Sequence, residues 1–256
     1  MTAIEGTAGG LVYAVLGLVA GSFASAASHR LPRGLPIGAD RSRCPSCDHT
    51  LQAIDLVPVA SWLALRGRCR YCGTAISPRY PIIESLTAAI FVGAWWIAGD
   101  DNLAAALLAL TGLGLVIIAV ADLENRIIPD FVLLALLPVA IAWRWHSGGD
   151  WVDGIAGAIL GAGLLYGLRA AFKALRGIDA LGLGDVKFLA IAGLYIGLIG
   201  LAPFLLIAGV IGIVLGLGWR RAGLGAVFPF GPALCLALGL ILAEPGWFDG
   251  LFGSVP

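Results

Sequence analysis

Apolar stretches occupy residues 9–28, 81–98, 103–121, 130–146, 151–172, 185–200, 202–219 and 228–244. Each is close to the roughly 18–20 residues that cross a bilayer as a helix. Almost nothing separates the sixth from the seventh, and merging or re-entry of the shorter ones would lower the count from eight to seven or six. One long polar stretch, 29–80, interrupts the pattern. The spacing therefore predicts an all-α polytopic membrane protein of about eight transmembrane helices, with a small polar domain between helices 1 and 2. The division it suggests is a first helix over 1–28, a cytoplasmic domain over 29–80 and a membrane bundle over 81–256. Small residues four apart, as in Gly157-x-x-x-Gly161, Gly163-x-x-x-Gly167, Gly193-x-x-x-Gly197 and Gly212-x-x-x-Gly216, are expected to bring helix backbones close.

Composition agrees. Of 256 residues 59% are hydrophobic and 12% charged, against about a quarter charged in soluble domains. The mean hydropathy is +0.94. A formal net charge of +0 and the lack of a basic tail give no reason to expect nucleic acid as a partner. The bilayer is the expected surrounding.

Charge placement predicts orientation. With 29–80 inside the cell, every one of the 16 Lys and Arg residues except Arg144 falls on that side, as the positive-inside rule requires. The opposite side carries Asp100, Asp101, Asp150, Asp153, Glu244 and Asp249. Eight spans then place both termini outside. The first span ends in Ala24-Ser25-Ala26-Ala27-Ser28, which resembles a signal-peptide cleavage site. No Lys or Arg precedes it, however, and Arg30 and Arg33 follow at once, so an uncleaved anchor is expected.

The polar stretch holds Cys44-Pro-Ser-Cys47 and Cys69-Arg-Tyr-Cys72. Paired Cys-x-x-Cys knuckles supply four thiolates for a tetrahedral zinc, and the spacing is close to that of zinc ribbons. Four thiolates leave no open position, so the metal is expected to be structural, folding a segment too small for its own core. Cys235 lies in the last apolar span and reads as a small core residue. His29, His49 and His146 have no zinc-protease spacing, and no Gly-x-Ser-x-Gly elbow is present.

Two aspartates stand where ionisable groups are costly. Asp122 ends the third span and Asp185 opens the sixth, after Gly182-Leu183-Gly184. The predicted topology puts both at the cytoplasmic edge, able to face one site. Asp185 has a plain alternative as a helix cap. As a pair, the two carboxylates suit aspartic peptide hydrolysis: like charges held close share a proton, and one acts as base while the other donates to the substrate carbonyl. Glu124, Asp130 and Lys187 read first as helix-end residues. All three are secondarily candidates for substrate contact, Glu124 and Asp130 by attracting a basic segment.

Taken in order, these residues resemble the type IV prepilin peptidase family of Gly-x-Gly-Asp membrane aspartyl proteases. The resemblance is carried by Gly21-Ser22-Phe23, Arg30-Leu31-Pro32, the two cysteine knuckles, Asp55-Leu56-Val57-Pro58, Ser61-Trp62, and Arg79-Tyr80-Pro81 with Glu84. It continues through Asp122 with Ile128-Pro129-Asp130, Gly182-Leu183-Gly184-Asp185-Val186-Lys187, and Pro229-Phe230-Gly231-Pro232. It implies Asp122 and Asp185 as catalytic residues that cleave the basic leader of prepilins or pseudopilins, after a glycine, at the cytoplasmic face of a bacterial inner membrane. It further implies N-methylation of the new N-terminus with S-adenosylmethionine, an activity associated with the zinc-bearing N-terminal half. One departure is that Ser25 stands where family members usually carry Asn. A proton- or cation-coupled transporter would instead place its carboxylates near mid-bilayer with repeat symmetry. A non-catalytic zinc-bearing scaffold would tolerate Asp→Asn at both positions.

Overall fold

The computed structural model describes residues 3–38, 41–179, 181–225 and 227–243, with side chains from residue 8 onward. Glu244 and Asp249, read above as outside charges, lie outside the described residues. Eight α-helices follow in order among the described residues: α1 (Ala3–Arg30), α2 (Ala60–Ala64), α3 (Arg79–Ala98), α4 (Asn102–Asn125), α5 (Asp130–His146), α6 (Trp151–Arg176), α7 (Leu183–Arg221) and α8 (Gly231–Ala243). No strand appears among them, only two isolated bridges in the cysteine segment. Five helices are long and apolar enough to cross a membrane: α1, α3, α4, α6 and α7. The shorter α5 and α8 are apolar too, with 17 and 13 residues.

The chain divides into two compact units, Met1–Ile117 and Ile118–Pro256. In the first, α1 lies tightly along α3. A Cβ on Gly17 would stand 2.6 Å from the Ala88 Cα, and one on Gly21 equally close to the Glu84 Cα. Only a hydrogen at those positions lets the two backbones approach so far. Polar side chains tie the same pair. Arg79 donates to the Ser25 carbonyl and hydroxyl at 3.1 and 2.7 Å, and to the Ser28 hydroxyl at 2.8 Å. Ser25 thus holds an arginine of the Arg79-Tyr80-Pro81 motif although it replaces a larger amide.

In the second unit α7 is the organising element. Its 39 residues amount to about 58 Å of helix, nearly twice the hydrocarbon thickness. Gly197, at φ 71° and ψ −176°, breaks it into two arms. The two adjoining spans read from sequence correspond to these arms, with the break at 197 rather than at 201. A break inside an apolar helix frees backbone groups that need partners. Asp153 accepts the Leu198 N–H at 3.0 Å through one oxygen and Arg144 at 2.8 Å through the other. Arg144 also donates to the carbonyls of Tyr195 and Asp150. The charge pattern singled out Arg144 as the one basic residue on the outer side; near the end of α5 it is fully buried, and its donors serve the break in α7.

The glycine strings separate on inspection. A Cβ on Gly193 would meet the Gly157 backbone at 2.4 Å, so α6 and α7 touch through bare backbone there. Gly163 and Gly167 meet nothing within 4 Å, and mark no helix contact among the described residues.

Candidate active site and metal centre

Asp122 sits in the last turn of α4 with only 6% of its surface exposed. Its Oδ2 accepts the N–H of Gly231 at 2.8 Å. Gly231 is the first residue of α8, so the carboxylate faces a helix N-terminus, where unpaired N–H groups and the helix dipole favour an anion. The Pro-Phe-Gly-Pro sequence explains the arrangement. Pro232 costs nothing within the first turn, where its N–H has no intrahelical partner. A Cβ on Gly231 would lie 2.7 Å from the Asp122 Oδ2, so any larger residue would displace the carboxylate.

Asp185 is the third residue of α7 and half-buried. Its Oδ2 lies against Gly182, the helix N-cap, 3.1 Å from where a Cβ on that glycine would stand. As an acid in the first turn of α7 it complements the helix dipole, and it also lies within the field of Asp122. Gly184 allows the bend to seat against the preceding loop, since a Cβ there would stand 2.9 Å from the Ile128 Cβ. The Asp122-to-Asp130 segment and the Gly182-to-Lys187 segment are thus packed together. Lys187 completes the join with both oxygens of Asp130, each at 2.8 Å. That solvent-exposed pair gives Asp130 a cationic neighbour. Cys235, one turn beyond Gly231, is buried within the field of both aspartates.

The cysteine segment of the first unit is built from two copies of one turn. Cys44 N–H donates to the His49 carbonyl and Asp48 N–H to the Cys44 carbonyl; Cys69 N–H donates to the Thr74 carbonyl and Gly73 N–H to the Cys69 carbonyl. Asp48 and Gly73, the residue after each second cysteine, both have positive φ, 55° and 73°. Aspartate and glycine are among the residues that accept that conformation most readily. The four Sγ atoms of Cys44, Cys47, Cys69 and Cys72 lie within 4.8 Å of one another. Cys44 Sγ and Cys72 Sγ are 3.8 Å apart, the edge of a tetrahedron whose metal–sulfur bonds are about 2.3 Å. The donor set fits a metal.

The thiols also conflict without one. The hydroxyl and backbone N–H of Thr74 bring Cys72 down to about 6. Against the His49 N–H, which favours the thiolate, burial and the neighbouring thiols of Cys72 and Cys44 push Cys47 up to about 11. A divalent cation removes that conflict by stabilising all four anions. Asp55 braces the second knuckle, accepting from Arg70 at 2.7 Å, from the Tyr71 hydroxyl at 3.1 Å and from the Gln52 N–H at 3.1 Å. His49 stacks on Tyr71 with ring centroids 3.6 Å apart. Glu84 of α3 accepts the N–H of Val59 at 2.7 Å. Val59 is β-branched with φ 59°, a conformation that persists only when its surroundings impose it.

Comparison with known proteins agrees with this layout. The sequence model described as the bacterial peptidase A24 N-terminal domain matches residues 15–98, and that of the type IV leader peptidase family matches 108–217. A prepilin leader peptidase/N-methyltransferase of Burkholderia pseudomallei (strain 1026b) is 37% identical over 249 residues, covering 86% of this chain and 80% of that protein. One of Stutzerimonas stutzeri is 33% identical, covering 94% and 89%. The chain belongs to the type IV leader peptidase family. A third relative of the same name, from Aeromonas hydrophila, is 37% identical over 220 residues, 84% of this chain and 72% of its own. No solved structure matches the chain significantly. The family's two matched stretches hold the cysteine cluster in the first and both aspartates in the second. Together with the apolar helices, membership marks a multi-pass inner-membrane protein. Gly231, whose N–H meets Asp122, lies beyond both stretches; its signal in the sequence was a glycine held between Pro-Phe and Pro at a helix start.

Proposed function

We propose that the chain removes the basic leader from type IV prepilins or pseudopilins with Asp122 and Asp185 as the catalytic pair. One observation carries this reading: two carboxylates from the ends of two helices lie close enough for Asp185 to feel the charge of Asp122, and Asp122 is met by a backbone N–H at a helix start. Like charges so placed favour a singly protonated pair. The ionised member takes a proton from water, whose oxygen attacks the scissile carbonyl carbon. The protonated member donates to the carbonyl oxygen. Collapse breaks the C–N bond, and the leaving amine takes up the proton. The names of the relatives support prepilin as substrate.

The same support extends to N-methylation of the new N-terminus with S-adenosylmethionine, assigned to the half that carries the cysteines. Zinc held by Cys44, Cys47, Cys69 and Cys72 would supply a structural cross-link there. The charge distribution supports a cytoplasmic position for residues 29–80 and for both aspartates. The domain division that goes with it is a first helix over 1–28, the zinc domain over 29–80 and the peptidase bundle over 81–256.

The test is cleavage of a purified prepilin, read by mass spectrometry with and without methyl donor. Asp122→Asn and Asp185→Asn are each expected to lose activity by about 10³-fold or more, with zinc content and yield unchanged. Cleavage by either variant at near the parent rate overturns the assignment.

A further inference from the structure

The cysteine segment carries apolar side chains that its own fold does not cover. Ile54 and Leu63 expose 60% and 62% of their surface, and Leu56 and Val57 between them are exposed as well. Ile54 and Leu56 belong to a short 3-10 turn (Ala53–Leu56), and Leu63 to α2. Trp62, by contrast, is tied inward. Its Nε1 donates to the Ile76 carbonyl at 3.1 Å, and its ring packs on Gly67, where a Cβ would stand 2.8 Å away. A polar module with so few buried residues has no core to receive the other four.

One bond fixes the height of this stretch. Between the turn and α2, the Val59 N–H donates to the Glu84 Oε2 at 2.7 Å. Glu84 is the sixth residue of α3, about 8 Å into a spanning helix. Its Cα faces Gly21 of α1, where a Cβ would stand 2.6 Å away. Gly21 in turn lies about 14 Å of helix before Arg30, the last residue of α1. Val59 is therefore held beside two apolar spans rather than beyond their ends. At that depth a backbone N–H needs a partner inside the protein, and the buried Glu84 carboxylate supplies it. Ile82 and Leu86 of α3, on either side of Glu84, are exposed too, so apolar surface borders the anchor from both elements.

Beyond α2 the character changes. Arg66 and Arg68 are exposed, and neither has an ion pair among the described residues. Apolar side chains level with the first turns of a span, followed at once by arginines, are the profile of an interfacial element. Such elements sink about 5–10 Å into the boundary between headgroups and acyl chains, while long cationic side chains reach back to the phosphates.

We propose that residues 54–63 seat in the bilayer surface. Ile54, Leu56, Val57 and Leu63 enter the acyl-chain boundary beside α1 and α3, and Arg66 and Arg68 meet lipid phosphates. The partner is the lipid interface itself. Residues 29–80 are then not a wholly aqueous domain. The stretch between Cys47 and Cys69 is its membrane footing, and it holds the cysteine quartet at a fixed height above the bilayer.

The test uses the full, unmodified chain, zinc-loaded, in nanodiscs of palmitoyl-oleoyl phosphatidylcholine. A small fraction of the lipid carries an aryl diazirine on its acyl chain. After illumination, adducts are mapped by mass spectrometry on tryptic peptides. Cleavage after Arg43, Arg66, Arg70 and Arg79 separates 44–66 from 71–79, which serves as the control within the same segment. Adducts on Ile54, Leu56, Val57 and Leu63 are expected at a density at least about fivefold above that on 71–79. A density no higher than the control overturns the proposal. Hydroxyl-radical footprinting of the same discs then names the actual surroundings. Oxidation of the four side chains means water, and protection means a protein surface such as a second copy of the chain; with control-level lipid adducts, each stands against a lipid footing.

Discussion

The cysteine segment and the aspartate site reach order by different physics. The first is polar and almost coreless: between residues 41 and 76 only Cys44, Gly67 and Cys69 are buried. Its two knuckles have repeated backbone turns, but the thiols they gather would repel as anions, so a metal bound there would make the arrangement favourable. The aspartate site has no such external cross-link in its geometry. It is assembled from helix starts, where the polypeptide itself supplies the donors. One site is suited to take its charge from an ion, and the other meets its charge with the end of a helix.

The sharpest way to break that contrast is to withdraw the metal. Chelation, or Cys69→Ser, is expected to open residues 41–76 to protease while the helical circular dichroism stays within about a tenth of its starting value, because most helical residues lie outside the segment. A large loss of helix would show that the metal holds more than its own loop. The counterpart at the aspartates is Gly231→Ala. Its added Cβ would fall 2.7 Å from the Asp122 Oδ2, so cleavage should drop roughly 100-fold with zinc content unchanged, measured by metal analysis beside the prepilin assay. Unaltered cleavage would mean that Asp122 does not work from this position.

The smallest expected effect is a pH dependence in the first unit. Burial raises the Asp55 carboxyl, but the bonds from Arg70, Gln52 N–H and Tyr71 outweigh it and hold the group below its ordinary range. A depressed folded value means the stabilisation is present above about pH 4, the ordinary carboxylate range, and is lost as pH falls through the folded value. The parent segment should therefore lose protease resistance on acidification below about pH 4 more steeply than Asp55→Asn. Equal slopes for the two would remove Asp55 from the account.

The helices, the cysteine quartet and the two aspartates were legible in the sequence because each is a local signal: a run of apolar residues, a repeated knuckle, an acid where acids are costly. Polar partnerships across the chain were not. Lys187 pairs with Asp130 over 57 positions and Gly231 meets Asp122 over 109, and no periodicity records such distances. Arg144 shows the same limit most clearly. Charge counting assigns it only a side of the membrane, since counting cannot see that Asp153 and a broken helix are waiting for it. The break itself came four residues earlier than the apolar pattern suggested, because Gly197 and its partners, rather than the local hydropathy, decide where α7 stops.

That stop has an evolutionary corollary. Gly197, Asp153 and Arg144 form a three-way lock: a side chain at 197 would strike the carboxylate, a neutral 153 would strand the guanidinium, and an apolar 144 would leave an acid without its counter-ion. No one of them can drift alone. Across relatives the trio should be inherited or replaced together, and a lineage that has lost one member should carry a straight helix in place of the hinge.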